Sequence, residues 1–207
     1  MKLVIIADTH GETPEVPDGD VLIHCGDISS RGDLAELEGF NQWFSSLPHK
    51  YKILVAGNHD WCFENAIPVV SRILDKSIIY LEDSGVEIEG LKFWGTPIQP
   101  EFCNWAFNRP KGIRRKHYKQ IPNDTDILIT HCPPYGACDR YLGCTELLKA
   151  VKRVQPTLHC FGHIHGGSGW LPNLLGLKTL FCNASVLDEN YDLAYPAKEY
   201  EIKVVTI

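Results

Sequence analysis

The chain has 207 residues, 44% of them apolar and 22% charged, which is enough for one core of ordinary size and excludes a disordered chain. Twenty Lys and Arg stand against 26 Asp and Glu, a net charge of −6, which argues against a generic charge-driven grip on nucleic acid or anionic lipid.

Residues 2–7 form the first short apolar run, which ends at Asp8. A second run, 21–25, ends at Gly26-Asp27. Asp33 and Glu36 then form a capping pair, and Leu37, Phe40, Phe44 and Leu47 recur at helical spacing until Pro48. The run 51–56 leads into Gly57-Asn58-His59-Asp60, and 78–94 reads as short strands with a turn at Glu89-Gly90. The run 126–130 ends at His131. Thr145 is the expected cap of a second helix that buries Leu147, Leu148, Val151 and Val154 and stops at Pro156. The run 157–161 ends at Gly162-His163-Ile164-His165, and 177–182 and 199–207 read as further strands. Short Val/Ile/Leu runs, apolar on both faces, are the pattern of strands in a buried parallel sheet. The carboxyl edge of such a sheet is where sites form. With no repeat, low-complexity stretch or linker, a single domain over 1–207 is expected.

None of these runs approaches the roughly 20 residues that span a bilayer, and the N-terminal run meets charge too soon for a secretory signal. The eight cysteines contain no C-x-x-C pair, so buried reduced thiols are expected rather than a zinc ribbon. A cytoplasmic setting without membrane contact follows as the expectation.

The residues at the run ends are Asp8, His10, Asp27, Asn58, His59, His131, His163 and His165. Carboxylates, a carboxamide and imidazoles make a mixed nitrogen and oxygen donor set, which suits Mn²⁺, Fe or Zn²⁺ better than Ca²⁺ or Mg²⁺. The set is too large for one tetrahedral ion and suits two adjacent metals that share a carboxylate.

In order and placement, Asp8-Thr9-His10, Gly26-Asp27, Gly57-Asn58-His59-Asp60, His131 and Gly162-His163-Ile164-His165 resemble the motifs of the binuclear, calcineurin-like metallophosphoesterases. Residues 20–27, 102–108 and Asn183-Ala184-Ser185 extend the resemblance to the metallophosphoesterase-domain (MPPED-type) branch, allied to class III cyclic-nucleotide phosphodiesterases. The resemblance implies a four-layer αββα sandwich of two mixed sheets flanked by helices, with the metals at the strand carboxyl ends. It implies Asp8, His10 and His165 on one metal, Asn58, His131 and His163 on the other, and Asp27 bridging both. His59 is then the proton donor rather than a ligand. The implied activity is phosphodiester hydrolysis, on cyclic nucleotides or similar small substrates, by a metal-bridging hydroxide. A phosphomonoesterase or nuclease on the same centre is the enzymatic alternative, and a nucleotide-binding scaffold with weak turnover the non-enzymatic one. Two divalent transition-metal ions are expected, Mn or Fe first and Zn next, with a small phosphoester or nucleotide as partner and no nucleic acid. One position departs from the family pattern: Ser30 stands where many members carry a carboxylate that orients the catalytic histidine, leaving Asp33 or Asp60 as substitutes.

Other residues carry weaker signals. His24, His49, His117 and His159 read as structural. Phe102, Trp105 and Phe107 read first as core and second as a stacking surface for a nucleobase. Asn108 and Arg109 are candidate substrate contacts. The basic segment 111–119 reads as a solvated helix face, or else as an anion-steering rim over the metals.

Overall fold

Four fully buried residues in the first strand, β1 (Lys2–Ile6), show how the layers arise. Side chains alternate along a strand, so Leu3 and Ile5 face one way, and Val4 and Ile6 the other. Leu3 and Ile5 join Val21, Ile23, Ile53, Ile127, Ile129, Leu158 and Cys160 in the core between the two sheets. Val4 and Ile6 pack with helix residues such as Leu37, Phe40 and Phe44. Each such aliphatic side chain, buried on its face of the sheet, contributes about 1.5–3 kcal/mol.

The computed structural model describes residues 1–203, so 204–207 of the expected last strand lie outside the described residues. In chain order follow β2 (Val21–His24), α1 (Leu34–Ser46), β3 (Tyr51–Leu54), α2 (Trp61–Asn65), α3 (Ile67–Ile73) and β4 (Ile78–Tyr80). Next come β5 (Ser84–Ile88), β6 (Leu91–Thr96), β7 (Gln99–Pro100), β8 (Asn108–Arg109), α4 (Lys111–Lys119) and β9 (Ile127–Thr130). The chain closes with α5 (Thr145–Val154), β10 (Leu158–Phe161), β11 (Gly169–Leu171), β12 (Leu180–Asn183) and β13 (Lys198–Glu201).

One sheet has the order β13-β1-β2-β3-β4, parallel except for β13 at its edge. The other runs β11-β12-β10-β9-β6-β5, with a parallel centre and antiparallel pairs at both edges. With helices outside, this is the calcineurin-like arrangement of two mixed sheets. All five expected site-bearing strands are present, and every pairing they make is parallel except that of β1 with the edge strand β13.

Local signals behave as their chemistry requires. Asp33 and Glu36 form a reciprocal capping box on α1. Glu89 and Gly90, at φ 49° and 84°, make the hairpin turn between β5 and β6. The cap of α5 is one residue earlier than expected: Cys144, not Thr145, accepts the Leu147 N–H, while the Thr145 hydroxyl donates to Glu146. All eight cysteines are free, with Cys103 exposed and Cys138 half-buried as exceptions to the buried pattern. Among the described residues, no helix is long and apolar enough to cross a membrane.

Candidate metal centre

Parallel strands place their carboxyl ends together, and here both sheets do so at one end of the sandwich. β1 delivers Asp8 and His10, β2 Asp27, β3 Asn58 and His59, β9 His131, and β10 His163 and His165. Asp8, His10, Asp27 and His163 all have positive φ, between 46° and 71°. Each costs about 1–2 kcal/mol for an L-residue and re-aims a side chain that would otherwise follow the pleat. The glycines before the site residues are there for space: a Cβ on Gly57 would strike the Asp27 carboxylate, and one on Gly162 the Asp8 carboxylate.

Asp8, His10 and His165 each offer a donor atom within 4.8 Å of the others, and so do Asp27, His131 and His163. His131 Nε2 lies 2.9 Å from Asn58 Oδ1 and 3.2 Å from Asp27 Oδ2. Asp27 also reaches toward the first group, with Oδ2 3.7 Å from His10 Nε2.

Three of these histidines have their tautomer fixed by backbone. His10, His131 and His165 donate from Nδ1 to the carbonyls of Ser29, Cys25 and Asp188 at 3.1, 3.0 and 2.8 Å. A carbonyl only accepts, so each ring keeps its Nδ1–H and turns Nε2 toward the centre. Such outer hydrogen bonds are the usual way a metal-binding imidazole is oriented. His10 Nε2 is buried with no hydrogen-bond partner. Burial pushes the His10 and His163 imidazoles down, His163 to about 4, which keeps them neutral. Burial opposes ionisation of Asp27, but the His131 imidazole beside it holds the carboxyl well below its ordinary range. Burial opposes protonation of His131, but the adjoining Asp27 carboxylate outweighs it and raises that imidazole to about 9. The neutral His10 and His163 rings, the ionised Asp27 carboxylate and the orphaned His10 nitrogen fit divalent cations.

His59 lies beside these groups, its ring 4.6 Å from that of His10 and stacked on Trp105 at 4.1 Å. Its Nδ1 donates to the Ser30 carbonyl at 2.7 Å, while the Ser30 hydroxyl turns away to the carbonyl of His10. Asp33 remains the cap of α1. Asp60 is fully buried and accepts from the backbone N–H groups of Asp27, Ile28, Ser29 and Gly57 and from the Ser29 hydroxyl. It therefore braces the loops that carry Asp27 and Asn58 and is not available to His59.

Residues 1–167 match the family described as calcineurin-like phosphoesterase. The chain belongs to that family. It is 40% identical over 227 aligned residues to metallophosphoesterase domain-containing protein 1 of Homo sapiens, covering 94% of this chain and 69% of that protein. A UPF0046 protein of Caenorhabditis elegans is 37% identical, with 98% of this chain and 81% of the relative aligned. Calcineurin-like phosphoesterases use divalent metal ions, and metal-dependent phosphoester hydrolysis is the activity this membership supports.

The phosphoesterase centre opens into a cavity of about 420 Å³. Trp105, Phe102, Leu142 and Tyr191 line it together with the strand-end residues other than the fully buried Asp8 and His131. The expectation of core packing holds for Phe107, which is fully buried, but Phe102 is 62% exposed and Trp105 stacks on His59. Asn108 and Arg109 are not in the lining. Asn108 is bonded to Gln99 and to the carbonyls of Phe102 and Cys103, and Arg109 pairs with Glu64 at 2.7 Å. With Glu64 also accepting the Phe107 N–H, these contacts and the β7–β8 pair fasten the base of the aromatic loop 101–107.

The basic segment stays clear of the cavity as well. Lys111, Arg114, Arg115 and Lys149 surround the buried Glu146 at 3.5–3.8 Å. His24 and His159 are core residues as expected, each bonded to a threonine hydroxyl and lowered by burial to about 3. Tyr191 gives no sequence signal, and Ser185 is marked only as part of Asn183-Ala184-Ser185, with no role in the site attached to it. The Ser185 hydroxyl donates to the Asp8 carboxylate, and the Tyr191 ring lies against His10 and His165 at 4.9 and 5.0 Å.

Proposed function

We propose that this phosphoesterase is a single domain that hydrolyses phosphodiesters of the nucleotide type, cyclic nucleotides among them. One observation carries the diester preference: the cavity lining contains no Lys or Arg, and Glu101 at its edge is acidic. A phosphomonoester brings two negative charges near neutral pH and a polyphosphate more, with no Lys or Arg among the described lining residues to meet them beside the metals and the histidines. A diester brings one, and its organic groups match the Trp105 and Phe102 wall.

Asp8, His10 and His165 would hold one divalent ion and Asn58, His131 and His163 the other, with Asp27 between them. Mn or Fe is favoured by the mixed donors, with Zn as the alternative. When bound, the ions supply Lewis acidity to the phosphoryl oxygens and acidify a water. The chain's own part is orientation and proton movement. Ser30 accepts from His59 Nδ1 whether the ring is neutral or charged, so the proton that moves is held at Nε2, toward the cavity. From there it passes to the leaving oxygen. Trp105 fixes the plane of that ring and excludes water from one side of it. The eight free thiols support a reducing, cytoplasmic setting.

The test is hydrolysis by metal-stripped protein reloaded with Mn²⁺, comparing bis(p-nitrophenyl) phosphate with p-nitrophenyl phosphate, and Asp27→Ala as control. Diester cleavage exceeding monoester cleavage, and lost in the control, is expected. Monoester preference would move the reading to a phosphatase. Absence of turnover with metals bound would move it to a nucleotide-binding scaffold.

A further inference from the structure

The rings at the centre form a row. Trp105 stacks on His59, His59 meets His10 edge-on at 4.6 Å, and Tyr191 closes the row against both His10 and His165. Trp105 and Tyr191 thus stand at opposite ends of the same cavity floor, and both line it. Tyr191 is 53% exposed, so core packing does not account for its position. Its backbone is also held in the left-handed region, at φ 67°, by a turn in which Asp188 accepts the N–H groups of Tyr191, Asn190 and Asp192. The same Asp188 carbonyl receives the His165 Nδ1–H, so the turn and the histidine are set by one peptide group. An aromatic residue placed in a conformation that suits glycine, over the centre and facing solvent, has been positioned at a cost.

We infer that Tyr191 is a specificity-determining wall for the substituent retained on phosphorus, while Trp105 receives the group that leaves. This rests on the phosphodiesterase reading above. During hydrolysis the oxygen of water bonds to phosphorus and gives up a proton to solvent. The bond to one ester oxygen breaks with its electron pair going to that oxygen, and that oxygen takes the proton from His59 Nε2, which solvent then restores. The departing group therefore lies on the His59 side, against Trp105. The second ester group keeps its bond to phosphorus and has the Tyr191 end of the cavity open to it. The substrate class named by two opposed walls is a linear diester with a separate organic group on each side, planar on the retained side. A cyclic diester, whose two ester oxygens belong to one sugar, fills one wall only.

The experiment uses two diesters with the same leaving group, thymidine 5′-p-nitrophenyl phosphate and methyl p-nitrophenyl phosphate, so chemistry at the leaving oxygen cancels. Tyr191→Gly removes the ring and suits the backbone. It is expected to lower kcat/KM for the thymidine probe about tenfold, the scale of one stacked ring, and for the methyl probe by less than about twofold. Tyr191→Phe is expected to restore the wild-type ratio of the two probes. Metal content by elemental analysis, and thymidine 5′-monophosphate affinity by calorimetry, are read on the same proteins. Unchanged metal with weakened nucleotide binding is expected in Tyr191→Gly. Equal losses on both probes, or loss of metal, would overturn the inference and make Tyr191 a prop for His165. If the wild type cleaves neither diester, the phosphodiesterase reading itself fails, which is a distinct outcome.

Discussion

Ser30 meets His59 through its backbone carbonyl, 2.7 Å from Nδ1, and not through its hydroxyl. The side chain at position 30 is therefore dispensable for the orientation of His59, the proposed proton donor. Ser30→Ala is expected to keep kcat within about twofold of wild type, whereas His59→Ala should lower it by roughly 10²–10⁴-fold. The comparison needs a diester whose leaving group is an alcohol, because a nitrophenolate departs without a proton. Metal content should be unchanged in both variants. A large loss in Ser30→Ala would return the orienting role to the hydroxyl.

Asp27 lies beside His131 and 3.7 Å from His10 and is proposed to stand between the two ions, so its removal should be felt at both donor groups. Asp27→Ala is expected to lose activity and to retain less metal than the wild type after gel filtration, measured by elemental analysis. Chelator treatment of the wild type should lower its urea midpoint. The loss is about 2.7 kcal/mol where the free ion stood at a hundred times its dissociation constant. An unchanged midpoint on chelation would mean that the ions do not hold the folded state.

Gly162 lies where a methyl group has no room, between the Asp8 carboxylate and Ala7. Gly162→Ala is expected to destabilise the fold by about 1–3 kcal/mol, the usual cost of overpacking, and to weaken metal retention at the Asp8 group. Denaturant unfolding and metal analysis on one preparation check both effects.

Glu64 ties down the aromatic loop through the Phe107 N–H at 2.6 Å and Arg109 at 2.7 Å. Glu64→Ala leaves the N–H of a fully buried residue unpaired and should cost about 1–3 kcal/mol. KM should rise because Trp105 is no longer held against His59, with metal content intact. A fall in metal content would show that the loop supports the centre as well as the substrate.

Among the described residues no Lys or Arg lines the cavity, and Lys111, Arg114 and Arg115 of α4 gather around Glu146 instead. Arg115→Ala is accordingly expected to leave the salt dependence of kcat/KM unchanged. A flattened salt dependence would restore the rim role for this helix.

The strand ends were legible in the sequence for a physical reason. A parallel strand buried on both faces is an unbroken Val/Ile/Leu run, and a polar residue just after it stands at the sheet edge, as Asp8, His131 and His163 do. The capping box of Asp33 and Glu36 was legible because both partners lie within one turn. The support of His59 was not, because every residue carries a carbonyl and Ser30 differs from its neighbours only in position. Asn108 and Arg109 read as substrate contacts because they are polar and adjoin aromatics, but Glu64, far back in the chain, takes up Arg109. Tyr191 gave no signal because its place over His10 comes from a turn assembled by Asp188, and an isolated tyrosine near the end of a chain announces neither.

The Asp8 carboxylate accepts the N–H of His163, so the peptide group that seats one donor cluster is 155 residues from the side chain it bonds. Asp8, His10, Asp27 and Asn58 come from one sheet, and His131, His163 and His165 from the other. Neither half of the chain can build either cluster alone. The cradle closes only when the two sheets have docked in register, which makes it a long-range and therefore slow event in assembly. Metal capture should then act as a checkpoint on the finished molecule: chains with the sheets misaligned would be left without ions, and those correctly joined would be locked at the seam.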